Sequence, residues 1–502
     1  MSFHAELNGL FAAVFLLVTP LAADPIAAVQ SNSLADEVPS EVLACEAQAI
    51  TDVVLEHHVD PPTRQEMWLA GVKAMLAEAG ITHRAGLSAQ ISQLTTPAQF
   101  AEFVKRLWSQ EEVLKGEQSA SALRQAFVNG VLAIVPGDSQ LISAKELVLQ
   151  EQFQANLYVG TGIAIGQDES NEYPQIVTVI PGGPMERAGG RRGDLIEKID
   201  NRETKGMSVN QVVDLLRGDE GTKVDLVLRA SAEKPRTLTV TQGHVILDTL
   251  AGLRKADDNI KWDYRIDADS PIRYVKIKQI GGSTVHELQQ LERRFRHEGT
   301  QAVILDLRDS DGDNLHHVVL LADALLDGGL IGRVRMPRRV EVFRADRECL
   351  FRDLPVAVLV DSNTSGGAEW IAAAVQDNQA GIIVGEPTAG AWHVHFTIPL
   401  PALNSGLSMR TGIFERPRAT AVLSSRDQNA PASRLPGSAK APTGVTPDRR
   451  IPPRDRESLS GPFAVLPEPV PVPDGSGRDD PILNLAVKIL KAKINVAPTT
   501  GD

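Results

Sequence analysis

Ser365 stands before two glycines at the head of an Ala-rich helical stretch, DSNTSGGAEWIAAAVQD, and His393 and His395 follow in VGEPTAGAWHVH. A serine within reach of an imidazole can act as a nucleophile that gives up its proton to the ring. Ser365, His393 and His395 are therefore the candidate catalytic residues. Serine ahead of a helical run is also the ordinary signature of an N-cap, and this reading of Ser365 stands beside the catalytic one. His393 and His395 alternate along an extended stretch and share a face, which suits a metal pair, yet no third ligand lies near in sequence. Asp309, Asp311 and Asp313 alternate like the opening of a calcium loop, but the glycine falls at Gly312 and Leu320 stands where the closing glutamate belongs, so a solvated turn is expected. Glu369 and Asp377 lie about two helical turns apart, roughly 12 Å at 1.5 Å per residue, too far for a paired-carboxylate mechanism. No metal and no cofactor is implied.

Those residues need a scaffold, and composition bounds it. With 502 residues, 42% hydrophobic and 23% charged, the chain is globular and divides into two to four domains at about 150 residues each. Fifty-one basic against 64 acidic residues leave a net charge of −13, which offers no field for a phosphate backbone, so nucleic acid is not an expected partner. Cys45 and Cys349 exclude a disulfide framework and leave one bridge open. The stretch LFAAVFLLVTPLAA (Leu10–Ala23) is too short for a comfortable membrane span and reads as a signal peptide, although MSFHAELNG before it lacks the usual basic residues. No later stretch is long and apolar enough to span a bilayer, so no integral membrane segment is expected after signal removal.

Helical periodicity runs from about residue 46 to 150, as in MWLAGVKAMLAEAG, and predicts an all-helical leader. From Tyr158 to His244 short β-type runs alternate with turn signals: GTGIAIG, QIVTVI before PGGP, DLIEKID, KVDLVLRA. Beyond Pro271 strands and helices alternate, which predicts an α/β domain with a largely parallel sheet. LPEPVPVPDGSG reads as a linker, and PILNLAVKILKAK as a last amphipathic helix that docks back on the body. The expected domains are a signal peptide (1–23), a helical region (24–157), a small β-rich module (158–244), an α/β core (245–457) and a linker with its helix (458–502).

In YVGTGIAI the N–H groups of Gly160, Thr161, Gly162 and Ile163 could cradle a carboxylate, and the strand that follows could pair with an extended peptide. Tyr158 to His244 resembles a PDZ domain, through VIPGGPMERAGGRRGDLIEKIDNRET and GMSVNQVVDLLRGDEGTKVDLVLR. That resemblance implies binding of protein C termini.

With the helical leader, VILDLRDSDGD, VLVDSNTSGGAEWIAAAVQD and VGEPTAG, the chain resembles the carboxyl-terminal processing peptidases, PDZ-containing serine peptidases of the bacterial envelope and chloroplasts. The likeness implies a crotonase-like α/β core with an inserted PDZ domain, and a serine nucleophile at a helix N-terminus activated by a lysine. Asp361, Glu369 and the closing Gln376-Asp377 match the family pattern without a gap, and the nucleophile then falls on Gly366. The lysine falls on Ala391 and its supporting glutamine on His395. Gly312 keeps a place in the oxyanion loop, whereas Asp313 replaces the next glycine, and a carboxylate there opposes oxyanion stabilisation.

The expected function is thus that of an exported, periplasmic or extracellular pseudopeptidase, free or membrane-associated, that binds protein C termini or unfolded polypeptides. The alternative is an active endopeptidase with a rearranged site that uses Ser365. A third possibility is an assembly protein whose helical leader forms a homodimer.

Overall fold

A computed structural model describes residues 39–82, 84–110, 120–154, 156–166, 172–230, 234–246, 248–255, 262–312, 314–346, 348–418, 444–451 and 480–496. The proposed signal peptide, Asp313 and LPEPVPVPDGSG lie outside the described residues. The chain divides into two units, Met1–Asp52 with Thr63–Ile134, and Val53–Pro62 with Val135–Asp502.

The first unit is helical. Thr63 and Glu66 cap the helix Arg64–Glu78 reciprocally, each side chain taking the other's backbone N–H. Trp68 and Phe100 stack with centroids 4.5 Å apart at its centre. Gly71 and Gly130 let this helix meet Ala120–Leu132 closely: a Cβ on Gly71 would stand 2.6 Å from the Phe127 ring, and one on Gly130 2.5 Å from Ala74. Arg124 pairs with the buried Glu46, so a charge in the helical core keeps its partner.

In the second unit the PDZ region is built on Ile163–Gly166, Gln175–Val179, Leu195–Ile199, Lys223–Arg229 and Arg236–Thr241, with Arg202–Glu203 off one strand. Its core takes Ile176, Met185, Ile196, Val212, Leu226 and Val240. Among the described residues Ile163–Gly166 is one of the two end strands and pairs with Gln175–Val179.

The α/β core is a six-stranded sheet. Ile272–Ile277, Ala302–Asp306, Val356–Val360 and Ile382–Gly385 run parallel, Leu250–Ala251 joins one end antiparallel and Arg449–Arg450 the other end parallel. Alternate residues face opposite layers. Val303, Leu305, Val358 and Val360 meet the helices Thr284–His297, Leu315–Leu325 and Gly366–Asp377, while Ile304, Ala357 and Leu359 meet Ile482, Leu483, Ala486 and Leu490 of the helix Pro481–Val496. Both faces are buried, which explains why these strands read as continuous apolar runs. The last helix docks as its amphipathic pattern predicts.

A second, five-stranded sheet contains Ser405–Glu415, His393–Leu400, Gly329–Arg335, Val340–Ala345 and Gln140–Ser143. The last strand corrects the all-helical leader: Gln140 pairs with Ser408 and Ser143 with Ser405. Four residues are too few to show a period, and the distant partner strand decides their conformation.

Candidate active site

The strands ending at Asp306, Val360 and Gly385 deliver three loops to one edge of the parallel sheet, the place where α/β folds bind ligands. Asp361 organises the first two. It is fully buried, and its Oδ1 accepts the N–H groups of Asp309 at 3.2 Å, Asn363 at 3.1 Å and Thr364 at 3.0 Å. The Thr364 hydroxyl donates to the Leu307 carbonyl at 3.0 Å. The two loops then run side by side, with Ser365 N–H on Ser310 O and Gly367 N–H on Gly312 O, each at 3.1 Å. Asn363 holds the Asp309 carboxylate at 2.7 Å; this turn is bonded into the site rather than merely solvated.

Ser365 occupies the N-cap position of Gly366–Asp377, but its hydroxyl makes no capping bond. The reason is a contact from another loop: the Gly367 N–H that a capping serine could take already belongs to Gly312. The structure therefore corrects the reading of Ser365 as a side-chain cap.

Gly366 has φ +50°, the left-handed region that disfavours side chains. A Cβ there would stand 3.6 Å from Gly312 O and 3.8 Å from Gly312 N. A strained residue at the head of a helix, facing a backbone N–H, is how a nucleophile is held beside an oxyanion donor. Gly366 itself offers no side chain at this point. Gly367 must stay glycine as well, because its Cβ would collide with Val318 and lie 2.7 Å from Gly312 O.

The third loop is fixed against the same helix. Glu369, fully buried, accepts the Thr388 hydroxyl, Gly390 N–H at 2.8 Å and Ala391 N–H at 2.7 Å. Trp370 Nε1 donates to Ala391 O at 3.1 Å. The ring of Trp370 stacks on Phe414 at 4.7 Å, and Trp392 lies over the far side of the cluster, 6.1 Å from Phe414. Ala391 is thus held in place with only a methyl group to offer. Asp377, its side chain fully buried, pairs with Arg416 at 2.6 Å and Arg418 at 3.2 Å. That contact ties the helix C-terminus to the end of Ser405–Glu415 and has no access to the loops.

His393 and His395 lie on the strand His393–Leu400, half-buried and exposed respectively. Burial, then Arg410, His395 and His58, lower the His393 pKa. No group of three His, Cys, Asp or Glu among the described residues could hold a metal. Ser365 makes no hydrogen bond to either histidine in the structure. Cys45 and Cys349 are both free thiols.

Several supporting residues escape a reading of the sequence. Asp448 accepts Gln376 Nε2 at 3.0 Å and Ile383 N–H at 2.8 Å. The Thr388 hydroxyl takes the Val445 N–H at 2.7 Å. Only the polar type of Asp448, in a Pro-Asp turn, hints at either.

In the PDZ region the loop Gly160–Ile163 is shaped from outside. Thr161 O accepts Met185 N–H at 2.8 Å and Gly162 O accepts Ile180 N–H at 2.9 Å, while Gly162 has φ +75°. Thr161 and Gly162 are both buried. A Cβ on Gly160 would collide with the Tyr158 hydroxyl, so glycine is needed there, and burial raises the Tyr158 pKa. Ile163 and Ile165 pack on the PDZ core beside Leu215.

Residues 271–425 match peptidase family S41 and residues 175–230 match the PDZ domain. The chloroplastic carboxyl-terminal-processing peptidase 2 of Arabidopsis thaliana is 28% identical over 60% of this chain and 56% of its own length. The carboxy-terminal-processing protease of Bartonella bacilliformis is 25% identical over 70% of this chain and 80% of its own. A solved photosystem II D1 C-terminal processing protease is 20% identical, covering 83% of this chain and 93% of that one with a TM-score of 0.40. The likeness to the carboxyl-terminal processing peptidases rests on the S41 match over residues 271–425 and the PDZ match over 175–230, and the chain spans little more than half the length of the Arabidopsis relative.

Proposed function

We propose that this chain is a pseudopeptidase that binds protein C termini or unfolded polypeptides through its PDZ domain, as an adaptor or regulator. The observation that carries the reading is the empty seat at Gly366, which faces Gly312 across 3.6 to 3.8 Å from where a Cβ would stand. Ala391, held by Glu369, supplies no amine to activate a nucleophile. Support for polypeptide binding comes from the place of Ile163–Gly166 at one end of the PDZ sheet among the described residues, directly after the loop Gly160–Gly162.

The reading includes export to the periplasm or the cell exterior, on the strength of Leu10–Ala23 and of the bacterial and chloroplast relatives. Among the described residues no helix is long and apolar enough to cross a membrane.

A second reading is favoured by the Ser365 hydroxyl, which the helix leaves uncapped. In it Ser365 is a displaced nucleophile with His393 or His395 as base, and the chain is an active endopeptidase.

The binding half is tested by fluorescence anisotropy with an unfolded polypeptide ending in a free carboxylate and its amidated twin. The free acid is expected to bind roughly tenfold more tightly, a charge-assisted contact of about 1.4 kcal/mol. Equal binding of the two would contradict recognition of the chain end.

A further inference from the structure

We propose that His393, His395 and Arg410 form a second carboxylate-binding site, on the core rather than the PDZ domain, that takes the α-carboxylate of a bound polypeptide. The inference rests on the reading of this chain as a binder of polypeptide ends. Its basis is the antiparallel pair His393–Leu400 with Ser405–Glu415, in which His395 lies directly opposite Arg410 and His393 opposite Ile413. Directly opposed residues share a face, and so do alternate residues of one strand. The register shift after Val394 turns Thr411 inward, where its hydroxyl donates to Val394 O at 3.3 Å, and leaves the three basic side chains together on the half-exposed face.

Arg410 lies against Gly137, where a Cβ would collide with its guanidinium. Its Nε is buried and has no hydrogen-bond partner, and no carboxylate pairs with it among the described residues. Ser139 Oγ, in the same turn, is also buried without a partner. The floor beneath is fixed: His58 is fully buried, its Nδ1 accepts Asp60 N–H at 3.0 Å and its Nε2 donates to Pro136 O at 2.9 Å. Val59 N–H donates to Arg410 O at 3.0 Å. Among the described residues the acidic groups on the segments that carry His58 and Gly137 are Asp60 and Asp138, both exposed and neither bonded to Arg410. Arg410 is the fixed positive charge that bears on His393.

A buried guanidinium donor without an acceptor, flanked by two imidazoles, matches an oxyanion in both charge and hydrogen bonding. A metal cation is disfavoured there, because Arg410 keeps its charge. His393 follows Ala391 by two residues, so an end held here would lie next to the loop that Glu369 pins against Gly366–Asp377. The PDZ loop and this face then provide two separate holds for chain ends.

The test uses the whole chain with isotope-labelled histidine and glycine, titrated with an acetylated pentapeptide acid, its C-terminal amide and inorganic phosphate. The acid is expected to move the His393 and His395 ring resonances and to raise the His393 pKa, with the amide inert. Arg410→Gln should weaken this response roughly tenfold, as loss of a charge-assisted pair does. The exposed His395→Asn variant, which leaves the floor intact, should weaken it as well. Movement of the Gly160 and Gly162 amides alone would overturn the second site while leaving the PDZ reading standing. Silence at both places would overturn both. Phosphate matching the peptide acid would mean an adventitious ion only, and would also overturn it.

Discussion

The buried carboxylate of Glu369 accepts the backbone N–H of Ala391 at 2.7 Å, so the helix that begins at Gly366 and the loop that ends at Ala391 are held as one piece. The two positions expected to carry a catalytic dyad are thus kept in register although neither retains a reactive side chain. The proposed binding role rests on this fixed scaffold.

Glu369→Ala should therefore destabilise the core although it removes no catalytic group. It strands the N–H groups of Gly390 and Ala391 and opens a cavity, for a loss of about 3 kcal/mol in urea unfolding. A change below about 0.5 kcal/mol, the range of an uninvolved surface site, would contradict the clamp.

Gly366→Ser should fold with a penalty of about 1 to 2 kcal/mol, because φ +50° is unfavourable for any residue with a Cβ. It should show no peptidase activity alone, since no amine replaces Ala391. Adding Ala391→Lys to the same chain gives the only variant expected to gain cleavage, read by release of peptides from an unfolded substrate.

The buried Asp306 predicts an acid-sensitive core. Its burial opposes ionisation, but Arg308 and Lys276 outweigh this and hold the carboxyl at about 2. An unfolded aspartate titrates near 3.9, so the stabilisation is complete above about pH 4 and is lost as pH falls through 2. Asp306→Asn should be less stable by about 2 to 3 kcal/mol at pH 6, and the gap should narrow between pH 4 and 2. A gap that does not depend on pH would contradict it.

His317 gives the corresponding prediction for imidazole. Burial first, then His316, hold its pKa at about 4. The folded ring is neutral, so its contribution is full above about pH 6.5 and falls away as pH drops toward 4. His317→Gln should flatten the stability profile across that window in thermal unfolding; an unchanged slope would contradict the assignment.

Asp480 joins the last helix to the core. Its Oδ1 caps the N–H groups of Ile482 at 3.1 Å and Leu483 at 3.0 Å, and its Oδ2 pairs with Arg308 at 2.8 Å. Asp480→Ala should cost about 1 to 2 kcal/mol and accelerate amide exchange in Pro481–Val496 first.

The parallel sheet was legible because strands such as Ala302–Asp306 are buried on both faces and read as unbroken apolar runs. The last helix was legible from its one apolar stripe. The assignment of the dyad positions to Gly366 and Ala391 rests on the spacing of Asp361, Glu369 and Asp377 and stays part of the proposal. Gln140–Ser143 was not legible, since its pairing with Ser405–Ser408 comes from far along the chain. The fate of the Ser365 hydroxyl was hidden for a similar reason: Gly312, on another loop, takes the N–H that local rules assign to the serine. Arg410 escaped notice because its meaning depends on the strand partner His395 and on the turn at Gly137.

The most direct test of the pseudopeptidase reading is mass spectrometry of an unfolded protein substrate incubated with the pure chain, beside Ser365→Ala. Intact substrate that remains captured in both samples is the expected result. Cleavage by the unsubstituted chain that disappears with Ser365→Ala would contradict it and make Ser365 the nucleophile.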